Sequence, residues 1–172
     1  MTKIFNRLFR ASLFQRAAFR EAYFDNDASA DGAITVSLVA AATYLGLLAA
    51  SSLTFSVTGL LAWVIGGVTS WLILAFATWG VARYFFSSMA RPQIMVGVHG
   101  LAVLPLVLDV FDNQAIGALG LVWYIALLVI GTREVTDLDI KKSGVSVLIG
   151  FAAAVLVRAL LNVPFAAFSS IF

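Results

Sequence analysis

Apolar residues run through this chain in five long stretches, and short polar turns separate them. A helix needs about 20 mostly apolar residues to cross the hydrocarbon core of a bilayer, and each stretch comes close to that length. The pattern therefore predicts an all-α integral membrane protein built on a bundle of five transmembrane helices. The predicted spans are about 33–53, 57–82, 94–111, 115–131 and 144–162.

A basic, aromatic segment precedes the first span. Its apolar residues recur at spacings of three and four, which places them on one face of a helix, and arginines interrupt them. A basic amphipathic helix of this kind lies in the membrane interface and favours anionic lipid. The residues predicted to contact the membrane or a partner are Phe5, Arg7, Phe9, Arg10, Arg16, Phe19 and Arg20. The alternative is a helix packed on the ends of the bundle. A nucleic-acid partner is disfavoured, because it would leave the phenylalanines exposed.

Acidic and helix-breaking residues fill 25–32, directly before the first span. The order D-x-D-x-x-x-D-G resembles the start of a calcium loop, but the bidentate glutamate that closes such a loop is missing. We therefore expect a linker and helix cap here and no metal site. Residues 1–31 then form the interfacial helix and its linker, and 32–172 form the membrane domain.

Three ionisable residues lie within the predicted spans: His99, Asp109 and Arg158. Such residues are costly in a bilayer and usually face the bundle interior or a cavity. Asp109 and Arg158 fall at similar depth near the same face, which predicts a direct pair, with Asp112 as the alternative acidic partner. The alternative is that each reaches the interface alone, Arg158 by extending its long side chain. The lone His99 is interpreted as a hydrogen-bonded structural residue.

Composition agrees with a membrane protein and limits the kinds of functional site that the chain can contain. Hydrophobic residues make up 62% of the chain and charged residues 12%, whereas soluble domains have about 45–50% and about 25%. There is no cysteine, which excludes disulfides, thiolate metal sites and cysteine nucleophiles. The sequence contains no nucleophile elbow, phosphate-binding glycine loop or zinc-protease motif. We therefore expect no enzymatic activity and no cofactor.

Lysine and arginine are distributed unevenly between the two sides of the predicted bundle. Ten of the eleven fall on the side that holds the N-terminus. Because positively charged loops stay in the cytoplasm, the N-terminus is predicted to be cytoplasmic and the C-terminus to lie on the opposite side.

Three short motifs resemble the Yip family, the Ypt/Rab-interacting membrane proteins, in its short prokaryotic form. They are Arg16-Ala17-Ala18-Phe19-Arg20, the stretch Gly100-Leu101-Ala102-Val103-Leu104-Pro105-Leu106, and Trp123 eight residues before Gly131-Thr132-Arg133-Glu134. Leu101 stands where the family usually has tyrosine. The long cytoplasmic domain of eukaryotic members is absent, so Rab binding is not implied. The resemblance implies the five-span fold and an activity-free role, with Gly100, Pro105, Trp123, Gly131 and Arg133 as the family-like positions.

These observations favour a non-enzymatic protein that acts as a scaffold, a membrane-organising protein or an accessory subunit of a larger membrane complex. The expected partners are the lipid bilayer, with anionic lipids, and other integral membrane proteins or a second copy. The expected location is the bacterial inner membrane. The alternative function is a small oligomeric transporter or channel subunit, with His99, Asp109 and Arg158 as polar points along a pathway.

Overall fold

The computed structural model describes residues 2–51, 54–111 and 113–169, with side chains at all of these except 2, 3, 158 and 161–169. This part of the chain folds into seven α-helices and one 3-10 helix. The α-helices are α1 (Thr2–Ser12), α2 (Arg16–Tyr23), α3 (Ala28–Ala50), α4 (Val57–Phe86), α5 (Pro92–Ala102), α6 (Gln114–Thr136) and α7 (Ile140–Ser169), and the 3-10 helix is Leu104–Phe111.

Five membrane-spanning elements are present, as the apolar pattern predicted. They are α3, α4, α5 together with the 3-10 helix, α6, and α7, in which Ile140–Val157 carries the apolar window. Each is long and apolar enough to cross a bilayer, so the chain has the architecture of an all-α integral membrane protein. The first span begins earlier than expected, at Ala28, because most of the acidic segment joins its first turns.

The spans alternate in direction, so α3, α5 and α7 begin at the end of the bundle where α4 and α6 finish. Hydrogen bonds join neighbouring elements there: Ser29 Oγ donates to the Gln93 carbonyl (2.8 Å) and Ser88 Oγ to the Thr136 carbonyl (3.4 Å). Helices α1 and α2 pack against α5 and α6 on this side. Because these two helices form a helical hairpin, we call this side of the bundle the hairpin end and the opposite side the distal end.

Helix α5 fills the centre of the half nearest the hairpin end. Of the third span, 56% is buried, against 33% or less of each other span, and every residue from Met95 to Ala102 is buried. Glycine allows this close packing: a Cβ atom on Gly100 would collide with the backbone of Gly32 on α3, and one on Gly32 would lie only 3.2 Å from Gly100 Cα.

The third span changes from α-helix to 3-10 helix just before Pro105. Proline has no N–H to donate, and its ring clashes with the carbonyl four residues earlier, so the α-helix ends at Ala102. The 3-10 helix then packs against α3 and α6 at two glycines. A Cβ atom on Gly46 would lie 2.6 Å from Val110 Cα, and one on Gly120 would lie 2.7 Å from the Pro105 carbonyl oxygen. The third span therefore occupies the centre of the bundle near the hairpin end, through α5. Near the distal end it lies to one side, through the 3-10 helix.

Candidate functional site

Helices α1 and α2 form a helical hairpin rather than the single helix expected from the sequence. The chain reverses at Phe14, which has a positive φ of 60°. The Phe14 N–H donates to the Ala11 carbonyl (2.9 Å) and the Gln15 N–H to the Arg10 carbonyl (3.0 Å). This pair of bonds is the Schellman arrangement that satisfies the last carbonyls of a helix. An Arg10–Glu21 ion pair of 2.9 Å then ties the two helices together.

Apolar contacts fix this hairpin to the bundle. The Phe19 side chain is fully buried and lies over Gly131, where a Cβ atom would come within 3.1 Å of the ring. Farther along α6, Trp123 Nε1 donates to the Ser12 carbonyl (2.9 Å). The Trp123 ring also stacks with Phe14, with the ring centroids 6.4 Å apart. The hairpin therefore lies along α6 from Gly131 to about its midpoint.

Ion pairs add charged contacts on both sides of Phe19. Glu134, whose side chain is only 5% exposed, binds Arg20 Nε at 2.7 Å and Arg16 Nε at 3.6 Å. Arg7, with a 3% exposed side chain, binds Asp25 just before α3 and Asp31 in the first turn of that helix. The acidic residues that resembled the start of a calcium loop thus neutralise an arginine of the chain itself.

The burial of these side chains corrects part of the prediction of which residues contact the membrane or a partner. Arg7 and Phe19 are buried within the protein, so neither faces lipid, and that prediction was wrong for both. Arg10, Arg16 and Arg20 are engaged by Glu21 or Glu134. Phe5 and Phe9 are 63% and 62% exposed, as a lipid or partner contact requires. An amphipathic pattern has one apolar face, and here part of that face covers protein instead of lipid.

His99 lies on α5 in the buried centre of the bundle. Its Nε2 is 3.2 Å from Thr132 Oγ1, and Thr132 Oγ1 donates to the Met95 sulfur at 3.8 Å. Because Thr132 Oγ1 uses its hydrogen for the contact with Met95, the arrangement consistent with both contacts has His99 Nε2–H donating to Thr132. Among the residues that the structure describes, no three His, Cys, Asp or Glu side chains cluster to hold a metal ion.

A cavity of about 420 Å³ lies between the spans, mainly in the half nearest the distal end. It forms where the 3-10 helix leaves the centre, and α3, α4, α6, α7 and the 3-10 helix contribute its walls. Most of the lining is aliphatic or aromatic. The lining includes Trp63, Trp71, Asp109, Tyr124, Phe151 and Ala154.

Asp109 is the one charged residue among the described residues that line the cavity. Its Oδ1 lies beside Gly117, where a Cβ atom would come within 2.7 Å, so the carboxylate sits near the first turn of α6. The first amides of that helix are already bound by the Asn113 side chain. The predicted partners of this carboxylate and of Arg158 cannot be compared with the fold, because Asp112 and the Arg158 side chain lie outside the described residues.

The family-like positions take mainly structural roles. Gly100 and Gly131 provide the close helix contacts described above, Pro105 ends α5, and Trp123 holds the hairpin turn. Arg133 is half-buried near the end of α6. Comparison with protein-family models, with curated proteins and with solved structures finds no match.

Glu134 and the cavity residues Trp71 and Tyr124 were not predicted as site residues. Glu134 carried little signal, because it follows the end of the predicted fourth span and lies in the last turn of α6. The cavity carried no signal, since it is a gap between helices whose positions depend on the whole packing.

Proposed function

We propose that this chain is a non-enzymatic multi-pass membrane protein that acts by binding, as a scaffold, a membrane-organising protein or an accessory subunit of a larger membrane complex. One observation supports this most directly. Phe5, Phe9 and Leu13 follow one another at intervals of four and are 63%, 62% and 50% exposed. We call these three residues the apolar ridge. The other face of α1 is buried through Leu8 and Ala11, so the ridge has a fixed support.

Pre-organisation makes such a ridge suited to binding. A surface that is already ordered loses less conformational entropy when it meets a partner than a free helix would. The apolar side chains match either the membrane interface or a hydrophobic face of another integral membrane protein or a second copy. Arg16 and Arg20 have side chains that are 56% and 66% exposed, so anionic lipid headgroups can reach them despite their contacts with Glu134.

The proposed location is the bacterial inner membrane, with the hairpin end in the cytoplasm. The charge distribution supports this orientation, because ten of the eleven lysines and arginines lie in segments that flank the hairpin end. Membership of the Yip family is a proposal that rests on the three sequence motifs alone.

A second candidate is a subunit of an oligomeric transporter or channel. The cavity favours it, because Asp109 offers a charged group within a membrane span. His99 is not among the cavity-lining residues, and α5 fills the centre of the bundle between the cavity and the hairpin end. A pathway of this kind would therefore have to be completed by a neighbouring chain.

Purification in gentle detergent from native membranes tests the binding function. The tagged protein is compared with the double variant Phe5→Ser/Phe9→Ser and with Phe85→Ser, a control that removes an equally large side chain, 77% exposed at the end of α4. We expect the unmodified protein and the control to co-migrate in constant ratio with a defined membrane complex or a second copy. The ridge variant should lose that association. A protein that is monomeric in all three forms would contradict the scaffold and accessory-subunit roles, and a ridge variant that keeps its partner would contradict the part assigned to the ridge.

A further inference from the structure

The cavity between the spans combines three properties that point to one class of ligand. Its volume of about 420 Å³ falls within the range of about 300–1,000 Å³ typical of small-molecule sites. The lining is mostly apolar, which suits an apolar body. Asp109 provides the one charge among the described residues of the lining, and its sign selects a positively charged group.

Asp109 is exposed, and none of the side chains that the structure describes neutralises its carboxylate. No residue in the described part of the chain forms an ion pair or hydrogen bond with this carboxylate. The neighbouring amides of α6 are taken by Asn113. A carboxylate in a membrane span normally pairs with a positive group, and the cavity is the space in which such a group can approach it.

Aromatic rings in the same cavity favour an organic cation over a metal ion. Trp63, Trp71 and Tyr124 all contribute to the lining. The face of an aromatic ring attracts ammonium groups, most strongly for tryptophan, and this attraction increases when water is excluded. A small metal ion would need several oxygen ligands, and Asp109 is the one carboxylate among the lining residues that the structure describes.

We propose that this cavity binds a small organic cation with an apolar body, of the alkyl- or aryl-substituted ammonium class. The positive group lies against Asp109, and the apolar body lies among Trp71, Phe151 and Ala154. The site is separate from the apolar ridge on α1, and its occupation does not depend on the scaffold or accessory-subunit function.

A charge-matched pair of probes tests this assignment. Binding of radiolabelled benzyltrimethylammonium is measured with the whole protein in nanodiscs of uncharged lipid, and empty nanodiscs correct for partition into the bilayer. Neopentylbenzene, which has the same shape but carbon in place of the charged nitrogen, serves as competitor. We expect saturable binding of the cation, at least tenfold weaker competition by the neutral isostere, and at least tenfold weaker binding to Asp109→Asn.

Two further variants make the result specific to the cavity. Asp137→Asn removes a negative charge at the hairpin end and should leave binding unchanged. Ala154→Phe narrows the cavity while keeping Asp109, and it should weaken binding. Equal affinity for the cation and its neutral isostere would overturn the proposal, as would unchanged binding to Asp109→Asn or the absence of saturable binding. The comparison of the two probes uses the unmodified protein, so it tests whether the cavity prefers a cation even if a variant fails to fold.

Discussion

Arg20 on α2 donates a 2.7 Å hydrogen bond to Glu134 on α6, joining residues 114 positions apart in the sequence. Phe19, the residue before Arg20, packs over Gly131, which lies about one turn from Glu134 on α6. Together these contacts make the N-terminal segment part of the membrane bundle. The apolar ridge of α1 therefore has a defined position relative to the spans.

Neutralising Glu134 should loosen the hairpin without unfolding the bundle. In Glu134→Gln both arginines lose their charged partner, but their side chains are 56% and 66% exposed. The expected loss is therefore below about 1 kcal/mol, seen as up to about fivefold faster hydrogen exchange in α1 and α2. Glu21→Gln is the control, because its ion pair with Arg10 joins α1 to α2 and not to α6. Equal acceleration in both variants would contradict this account.

Truncation of Phe19 should be far more damaging than truncation of Phe9. Phe19 is fully buried, whereas Phe9 is 62% exposed. Loss of a buried phenylalanine costs about 3–5 kcal/mol, so Phe19→Ala should lower the thermal midpoint in detergent by several degrees or more. Phe9→Ala should leave the midpoint nearly unchanged. Similar effects of the two substitutions would mean that Phe19 faces lipid after all.

A methyl group at Gly100 should disrupt the contact between α3 and α5. It would collide with the backbone of Gly32, and overpacking of this kind costs about 1–3 kcal/mol. Gly66→Ala adds the same atom at a helical glycine where nothing lies within 4 Å. Thermal unfolding in detergent should show a clear loss for Gly100→Ala and none for Gly66→Ala. A tolerated Gly100→Ala would show that the two helices are farther apart.

Removal of Arg7 should strongly destabilise the link between α1 and α3. Its side chain is 3% exposed, and it holds two carboxylates that are each 16% exposed. Breaking a buried ion pair costs about 3–5 kcal/mol, so Arg7→Leu should lower the thermal midpoint markedly. Arg10→Leu is the control, because Arg10 is 31% exposed and its partner Glu21 is 47% exposed. An equal, small effect of both would place Arg7 in solvent.

Asp139 gives the structure a pH dependence at the start of α7. Its Oδ1 accepts a hydrogen bond from the Lys142 N–H (2.9 Å), and this backbone contact holds the pKa of Asp139 below its usual range. Because the folded-state pKa is lowered, the stabilisation is complete above the ordinary carboxyl pKa and is lost as the pH falls through the folded-state value. An NMR titration should find the low pKa in both the unmodified protein and Lys142→Ala. A return to the ordinary pKa in Lys142→Ala would assign the shift to the lysine charge instead.

The membrane architecture follows from the sequence because a bilayer admits few alternatives. Backbone groups in hydrocarbon must be satisfied within the span, so five apolar stretches of sufficient length become five helices. Pro105 stands inside the third span, and a proline removes a hydrogen bond from the ladder of an α-helix. Its consequence, a 3-10 helix that leaves the centre open, depends on how Gly46 and Gly120 accept the displaced backbone.

The hairpin of α1 and α2 was harder to predict from the sequence. Phe9 and Phe19 look alike in an amphipathic pattern, which shows that a helix has an apolar face but not what covers it. Small neighbours provided a clue, since Ala18 and Ala22 flank Phe19 and are buried with it. Small residues allow a helix to approach another closely.

Cross-linking in native membranes tests the docked hairpin most directly. The chain contains no cysteine, so the pair Arg20→Cys/Glu134→Cys introduces the only two thiols. The account predicts that a short bismaleimide joins this pair within one chain, while Phe9→Cys/Glu134→Cys, with Phe9 on the exposed ridge, is joined far less. Failure to join the first pair, or equal joining of both pairs, would show that the N-terminal helices lie free of the bundle.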